Sequence, residues 1–115
     1  MMDAGLQVFM ERVDQVPVVR VVGEVDLATA SELESRLAEV STDSGSVIVD
    51  LSEVTFLDST GLSVLVAAWK RICEPDEQAS FRLVVARPAI KRVLDVTGLV
   101  HIFAVFATLE EAVKG

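Results

Sequence analysis

Histidine, cysteine and glycine-rich loops are scarce in this chain, and that scarcity removes most enzyme chemistry at the outset. One histidine and one cysteine occur in 115 residues, so a zinc site would have to draw most of its ligands from carboxylates. No metal and no cofactor is expected. The single Cys73 permits no internal disulfide, in keeping with a reducing compartment. His101 lies inside an apolar run near Gly98, where packing or a surface position outweighs acid–base work. Neither Gly-x-x-x-x-Gly-Lys-Ser/Thr nor Gly-x-Gly-x-x-Gly is present, so a dedicated nucleotide-hydrolysing site has no support. The Gly-x-Ser-x-Gly elbow of hydrolases is missing as well, which leaves a relay of Ser59, His101 and an aspartate without its exposed nucleophile.

Long apolar runs and basic clusters are also lacking. Hydrophobic residues make up 51% of the chain and mean hydropathy is +0.49, yet no stretch reaches the roughly 20 apolar residues of a membrane-spanning helix. No basic segment followed by an apolar run opens the sequence, so the expectation is a cytoplasmic protein without direct membrane insertion. Ten basic residues face eighteen acidic ones, for a formal charge of −8. Only Lys70-Arg71 and Lys91-Arg92 are adjacent. Phosphate backbones and anionic bilayers need clustered cations, so neither nucleic acid nor a lipid surface is expected as a direct partner. A basic protein partner fits the charge.

What is present is an alternation of two hydrophobic periods. Leu6, Val8 and Met10 alternate with polar neighbours as a half-buried strand does, and Pro17 punctuates a hairpin. Val18, Val19, Val21 and Val22 form a β-branched run to Gly23, continued by Glu24-Val25-Asp26-Leu27, with the composition of a strand buried on both faces. Thr29 or Ser31 caps a helix whose Leu33, Leu37 and Val40 form one stripe. Ser41 to Ser46 reads as a loop. Val47 to Leu51 reads as an interior parallel strand, with Val54, Phe56 and Leu57 strand-like beyond it. Phe81 to Val85 is another strand, Pro88 opens a short helix through Asp95, and Gly98 ends it in a left-handed cap. Ile102 to Phe106 is a last strand, and Thr108-Leu109-Glu110-Glu111 is a capping box opening a C-terminal helix. The order implies an α/β fold in one domain over 1–115, a mixed sheet of about five strands packed with about four helices.

One junction stands out. At Leu57-Asp58-Ser59-Thr60-Gly61-Leu62 a strand-like run ends, and Leu62, Leu65, Val66, Trp69, Ile72 and Cys73 then recur at helical spacing. Asp58 or Ser59 is the N-cap, accepting hydrogen bonds from N–H groups that a helix start leaves unpaired. The helix also carries Val64, Ala67 and Ala68 away from its core stripe, with Ser63 as the one polar residue between Leu62 and Lys70. Such a face is either buried on most sides or offered to a partner, and it leaves a homodimer open. Asp50 invites comparison with a receiver-domain phosphoacceptor, but no acidic pair follows the first strand and no lysine lies in the last. It reads as a turn or capping residue after a strand.

Three segments carry a resemblance. Gly23-Glu24-Val25-Asp26, the Leu57 to Leu62 junction, and Arg87-Pro88-Ala89-Ile90-Lys91-Arg92-Val93-Leu94-Asp95-Val96-Thr97-Gly98-Leu99 are together similar to the signature segments of bacterial anti-sigma factor antagonists, the small STAS-domain proteins. The similarity covers nearly the whole chain. It implies a STAS-type domain that is a regulatory switch in place of an enzyme. The unmodified protein would bind an anti-sigma factor serine kinase and free a sigma factor; the kinase would inactivate it on the serine after the aspartate, and a phosphatase would restore it. Carried over by position, Ser59 is the phosphoacceptor, and Asp26, Asp58, Ser59, Thr60, Gly61, Ser63 and Val64 contribute to partner binding. Ser63 stands where the family often has glycine, and the Glu74 to Ala79 connection lacks the family's usual glycines. An alternative within the same family is an accessory subunit of a membrane transporter, contacting an ATPase without phosphorylation.

Overall fold

The computed structural model describes residues 5–40 and 45–115; the loop expected at Ser41 to Ser46 therefore lies, up to residue 44, outside the described residues. Two strands, β1 (Leu6–Val13) and β2 (Val16–Val25), form an antiparallel hairpin closed by the pair Val13 and Val16. Asp14 and Gln15 both take positive φ, 51° and 70°. That geometry makes a two-residue turn whose twist matches the flanking strands. The turn is thus not marked by Pro17, as the sequence suggested; Pro17 sits inside β2 opposite Arg12. Parallel pairing of β2 starts only at Val18, so the missing proline N–H costs no ladder bond on that side.

The chain continues through α1 (Ala30–Ala38), β3 (Ser46–Leu57), α2 (Ser59–Cys73), β4 (Ser80–Val84), α3 (Pro88–Thr97), a 3₁₀ turn (Leu99–His101), β5 (Ala104–Phe106) and α4 (Leu109–Lys114). The sheet order is β1-β2-β3-β4-β5, with β1 antiparallel and the other pairings parallel. This is the mixed sheet of five strands with four helices that the sequence implied. The last strand begins at Ala104, two residues later than expected, because Leu99 to His101 turn instead of extending. Gly98 does end α3 in the left-handed region, at φ 79°.

Successive strand residues point to opposite faces, and the two faces are covered unequally. On one, Val19, Val21, Val49, Leu51, Val54 and Leu83 meet Leu33 and Leu37 of α1, Leu62, Leu65 and Ile72 of α2, and Ile90 and Leu94 of α3. On the other, Val18, Ile48 and Val84 meet Ala112 of α4, with Leu109 and Val113 beside it. Arg82 latches α4 by donating from Nη1 to the carbonyl of Ala112 at 2.7 Å. Thr108 caps α4 by accepting from the Glu111 N–H at 3.1 Å, while the Glu111 carboxylate accepts from the Ala107 N–H at 3.2 Å.

A helix of six residues covers only one end of its face. The expectation that β2 is buried on both sides therefore holds for Val18, Val19 and Val21 but fails at Arg20 and Glu24, which reach solvent on the uncovered end. Asp50 does not follow a strand either. It lies within β3, buried, and its Oδ1 accepts the Ser52 N–H at 2.9 Å where the register against β2 shifts. The carboxylate serves backbone N–H pairing at a bulge.

Leu65 is fully buried between α2 and the sheet. Leu65→Ala should lower unfolding stability by about 2–5 kcal/mol through lost contacts and a residual cavity. Urea titration should show the midpoint falling while the slope with denaturant stays unchanged.

Candidate functional site

The site lies where β2 and β3 end side by side. Val25 and Leu57 are in register as the last residues of their strands, and the Asp58 N–H donates to the Val25 carbonyl at 3.2 Å. The chain then enters α2 with a single residue between strand and helix. Asp58 makes this abrupt change tolerable. Its backbone is extended, and its Oδ1 accepts from the N–H groups of Thr60 at 3.0 Å and Gly61 at 3.1 Å. The Thr60 hydroxyl donates to the same oxygen. Of the two N-cap candidates, Asp58 is the one observed.

Three donors on one carboxylate oxygen favour its ionised form. The Asp58 carboxyl is held below the usual carboxylate range, chiefly by the Thr60 hydroxyl and further by the backbone N–H groups of Gly61 and Thr60; partial desolvation opposes them.

Gly61, expected among the docking residues, is buried. A Cβ there would lie 2.6 Å from Leu57 Cδ1 and 2.6 Å from Val25 Cγ1. Its role is to let the first turn of α2 close onto the two strand ends. Ser59 is different in kind. It is exposed at the first position of α2, and among the described residues its hydroxyl has no hydrogen-bond partner. Thr60, half-buried, has its hydroxyl committed to Asp58. Ser63 is exposed one turn on, its Oγ donating to the Ser59 carbonyl at 3.0 Å.

Asp26 stands in the neighbouring turn and repeats the device. Its Oδ1 accepts from the N–H groups of Ala28 at 3.0 Å and Thr29 at 3.1 Å, and its own N–H donates to Thr29 Oγ1 at 3.0 Å. The buried Thr29 hydroxyl donates in turn to the Glu24 carbonyl at 2.8 Å. Thr29 occupies the N-cap position of α1 as expected, but its side chain makes no bond to the α1 N–H groups because this turn engages it.

The expected partner-binding residues are thus divided. Asp26, Asp58, Ser59, Thr60 and Ser63 gather at the strand ends and the first turns of α2. Val64 faces the other way, into a depression shared with Glu34, Leu37 and Arg71. The hydroxyl side opens instead onto a shallow groove of about 490 Å³ lined by Ser59, Leu62, Ser63, Val66, Ala67, Lys70 and Leu99. Lys70 marks its far end, about 16 Å along the helix from Ser59.

Sequence reasoning missed Leu27, Lys70 and Leu99. Leu27 was read as the tail of a strand, yet β2 ends at Val25 and Leu27 is 80% exposed on the Asp26 turn. An apolar residue between Asp26 and the small residues Ala28 and Thr29 was the available signal. Leu99 reaches the groove only through the 3₁₀ turn, which no local pattern announces.

Among the described residues no cluster of histidine, cysteine, aspartate and glutamate could hold a metal ion. No helix among them is long and apolar enough to cross a membrane.

Asp58 also gives the site a pH signature. A carboxyl whose folded pKa lies below its unfolded value contributes stability above that unfolded value and loses it as pH falls through the folded one. The stability gap between wild type and Asp58→Ala should therefore be full at neutral pH and shrink below about pH 4. Thermal unfolding of both proteins across that range checks it; a gap that stayed constant would mean the carboxylate charge is not what caps α2.

Comparison with known proteins agrees with this fold. The STAS domain model matches residues 7–112. The anti-sigma-F factor antagonist RsfB of Mycobacterium tuberculosis is 36% identical over 101 residues, covering 87% of this chain and 80% of that protein. The crystal structure of an anti-sigma factor antagonist from Mycobacterium paratuberculosis superposes with a TM-score of 0.88 at 34% identity, covering 98% of this chain and 95% of that one. The Bacillus cell fate determinant SpoIIAA, solved in its phosphorylated form, shares the fold with a TM-score of 0.68 at 20% identity, over 94% of this chain and 97% of that one. The chain belongs to the STAS-domain family, with bacterial anti-sigma factor antagonists as its relatives.

Proposed function

We propose that this chain is an anti-sigma factor antagonist switched by phosphorylation of Ser59. Unmodified, it binds an anti-sigma factor serine kinase and so releases a sigma factor; the kinase silences it on Ser59, and a phosphatase restores it. On this reading it is a single cytoplasmic regulatory domain and the substrate of an enzyme, with no catalytic activity of its own. The names of the relatives favour it over the transporter-accessory reading.

The observation that carries the proposal is the contrast between two adjacent hydroxyls. Thr60 is half-buried and bonded to Asp58, whereas Ser59 is exposed and unpaired. A kinase therefore meets one free nucleophile at this turn. Phosphorylation adds roughly −1.5 to −2 charges. The start of α2 tolerates them because the helix dipole favours an anion there, even though Asp58 already holds the Thr60 and Gly61 N–H groups. A fold shared with phosphorylated SpoIIAA supports a modification that leaves the architecture intact.

The cost falls on the complex instead. A dianion beside the ionised Asp58 and close to Asp26, pressed against a partner surface without an answering cation, loses on the order of several kcal/mol of binding. That corresponds to about two to four decades in affinity. Asp26 and Asp58 accept these turn bonds through Oδ1, and among the described residues Oδ2 accepts none, which leaves it for partner donors, while Ser63 and the groove toward Lys70 supply the neighbouring contact. Self-association belongs to this reading only through a surface that leaves Ser59 open.

Incubation with the cognate kinase and ATP, followed by mass spectrometry, should place the phosphate on Ser59 and leave Ser59→Ala unmodified. Ser59→Asp should bind that kinase about two to four decades more weakly than wild type, measured by calorimetry; equal affinity would sink the proposal. Leu27 is held out in water by a fixed turn, so its ordering is already in place before binding. Leu27→Ala should weaken the complex about tenfold or more, as loss of a buried leucine at an interface does, with the unfolding midpoint little changed.

A further inference from the structure

We propose that the chain pairs with a second copy of itself along the outer edge of β1, the two β1 strands running antiparallel about a two-fold axis at Phe9. The starting observation is that the sheet has two unequal edges. β5 offers three residues, whereas β1 offers eight, Leu6–Val13, in unbroken register with β2 and with no strand on its other side among the described residues. Soluble proteins blunt such an edge with charged residues, lysine above all, with proline, a bulge or a covering element. β1 contains no proline and no lysine, its pairing shows no bulge, and its two charges are engaged within the chain, Glu11 with Arg20 and Arg12 with the Gln15 carbonyl.

Each face of this edge carries one exposed large apolar side chain, beside Gln7, Glu11 and Arg12. Phe9 and Met10, which point to opposite faces, are each 39% exposed. The Phe9 ring is backed by the Arg20 guanidinium, 4.4 Å from its centroid, and Arg20 is fixed by ion pairs to Glu11 at 3.2 Å and Glu53 at 2.9 Å. The ring is thus held in place at the sheet border before any partner arrives.

Symmetry and charge select the occupant and the register. A two-fold axis perpendicular to the sheet continues each face of one copy into the same face of the other, so residues of like orientation meet. Centred on Phe9, the pairing sets Phe9 against Phe9, Val8 against Met10, Gln7 against Glu11 and Leu6 against Arg12. It matches an aromatic pair and an apolar pair and creates no like-charge contact. Centring on Glu11 would oppose that carboxylate to itself, and centring on Met10 would set Phe9 against Glu11. The chain as a whole carries a charge of −8, which opposes self-association over most of its surface. β1 carries one acid and one base, so its edge is a place where two copies can meet without that penalty. The pairing buries none of Asp26, Asp58 or Ser59, which lie at the ends of β2 and β3, and it stands independently of the switch proposed above.

Sedimentation of the intact chain over rising concentration should show a mass moving from 12.4 kDa toward twice that value. Phe9→Lys, the residue that edge strands use against pairing, should weaken the dimer about tenfold or more while leaving the circular dichroism spectrum unchanged. In a Cys73→Ala background, Phe9→Cys should oxidise to a disulfide-linked dimer, because antiparallel partners bring their Cα atoms to about 4.5–5.5 Å, within disulfide reach. Gln7→Cys, four residues from its own copy in this register, should not. A mass that stays at one chain to millimolar concentration, a dimer indifferent to Phe9→Lys, or equal cross-linking at the two positions would overturn the proposal.

Discussion

The arrangement depends on one close approach: the first turn of α2 against the ends of β2 and β3. One residue separates strand from helix, so the chain must reverse its backbone geometry at Asp58 while Gly61 passes within van der Waals range of Val25 and Leu57. Two features make this attainable. The Asp58 carboxylate takes up N–H groups that the helix start would leave unpaired, and the absence of a side chain at Gly61 lets the helix settle on the sheet. Ser59 is exposed because its neighbours on either side are engaged inward.

The same geometry reconciles stability with regulation. A helix N-terminus over a strand end is a place where an anion is electrostatically acceptable to the fold and unwelcome to a partner that has no cation to meet it. The Asp26 turn reinforces the asymmetry by adding a second carboxylate at the adjacent strand end, itself bonded into a rigid loop. The surface is therefore fixed in shape and changeable in charge. On the function proposed above, a regulatory phosphate would act on recognition and leave packing alone.

Coverage of the sheet sorts the rest of the molecule. Three helices cover most of one face, leaving Met10 at its β1 border partly exposed, and the six-residue α4 covers one end of the other. What α4 leaves open is occupied by Arg20, its two glutamate partners and Phe9, a polar cluster with an aromatic ring beneath a guanidinium. The uneven burial of β2 has no cause in β2 itself; it follows from the length of a helix some eighty residues further on.

Much of this was legible in the residue pattern. Period-two and period-3.6 runs located the strands and helices, and Gly98, Thr108 and Asp58 marked helix ends that the structure bears out. Those are local matters, decided within a few residues by backbone preference and capping. What the sequence could not decide depended on contacts across the chain. The hairpin turn fell on Asp14-Gln15, a pair without glycine that the strand register forces into positive φ. Thr29 was drawn from capping α1 into the Asp26 turn, Gly61 proved to be packing and not surface, and Leu27 was turned out into water. Leu99 came to share a groove with Ser59 only once α3 and the 3₁₀ turn had packed beside α2. The sequence by itself determined which residues could cap, turn and carry a hydroxyl; tertiary packing decided which of those hydroxyls was left free, because burial and hydrogen-bond pairing are properties of neighbours that local sequence does not contain.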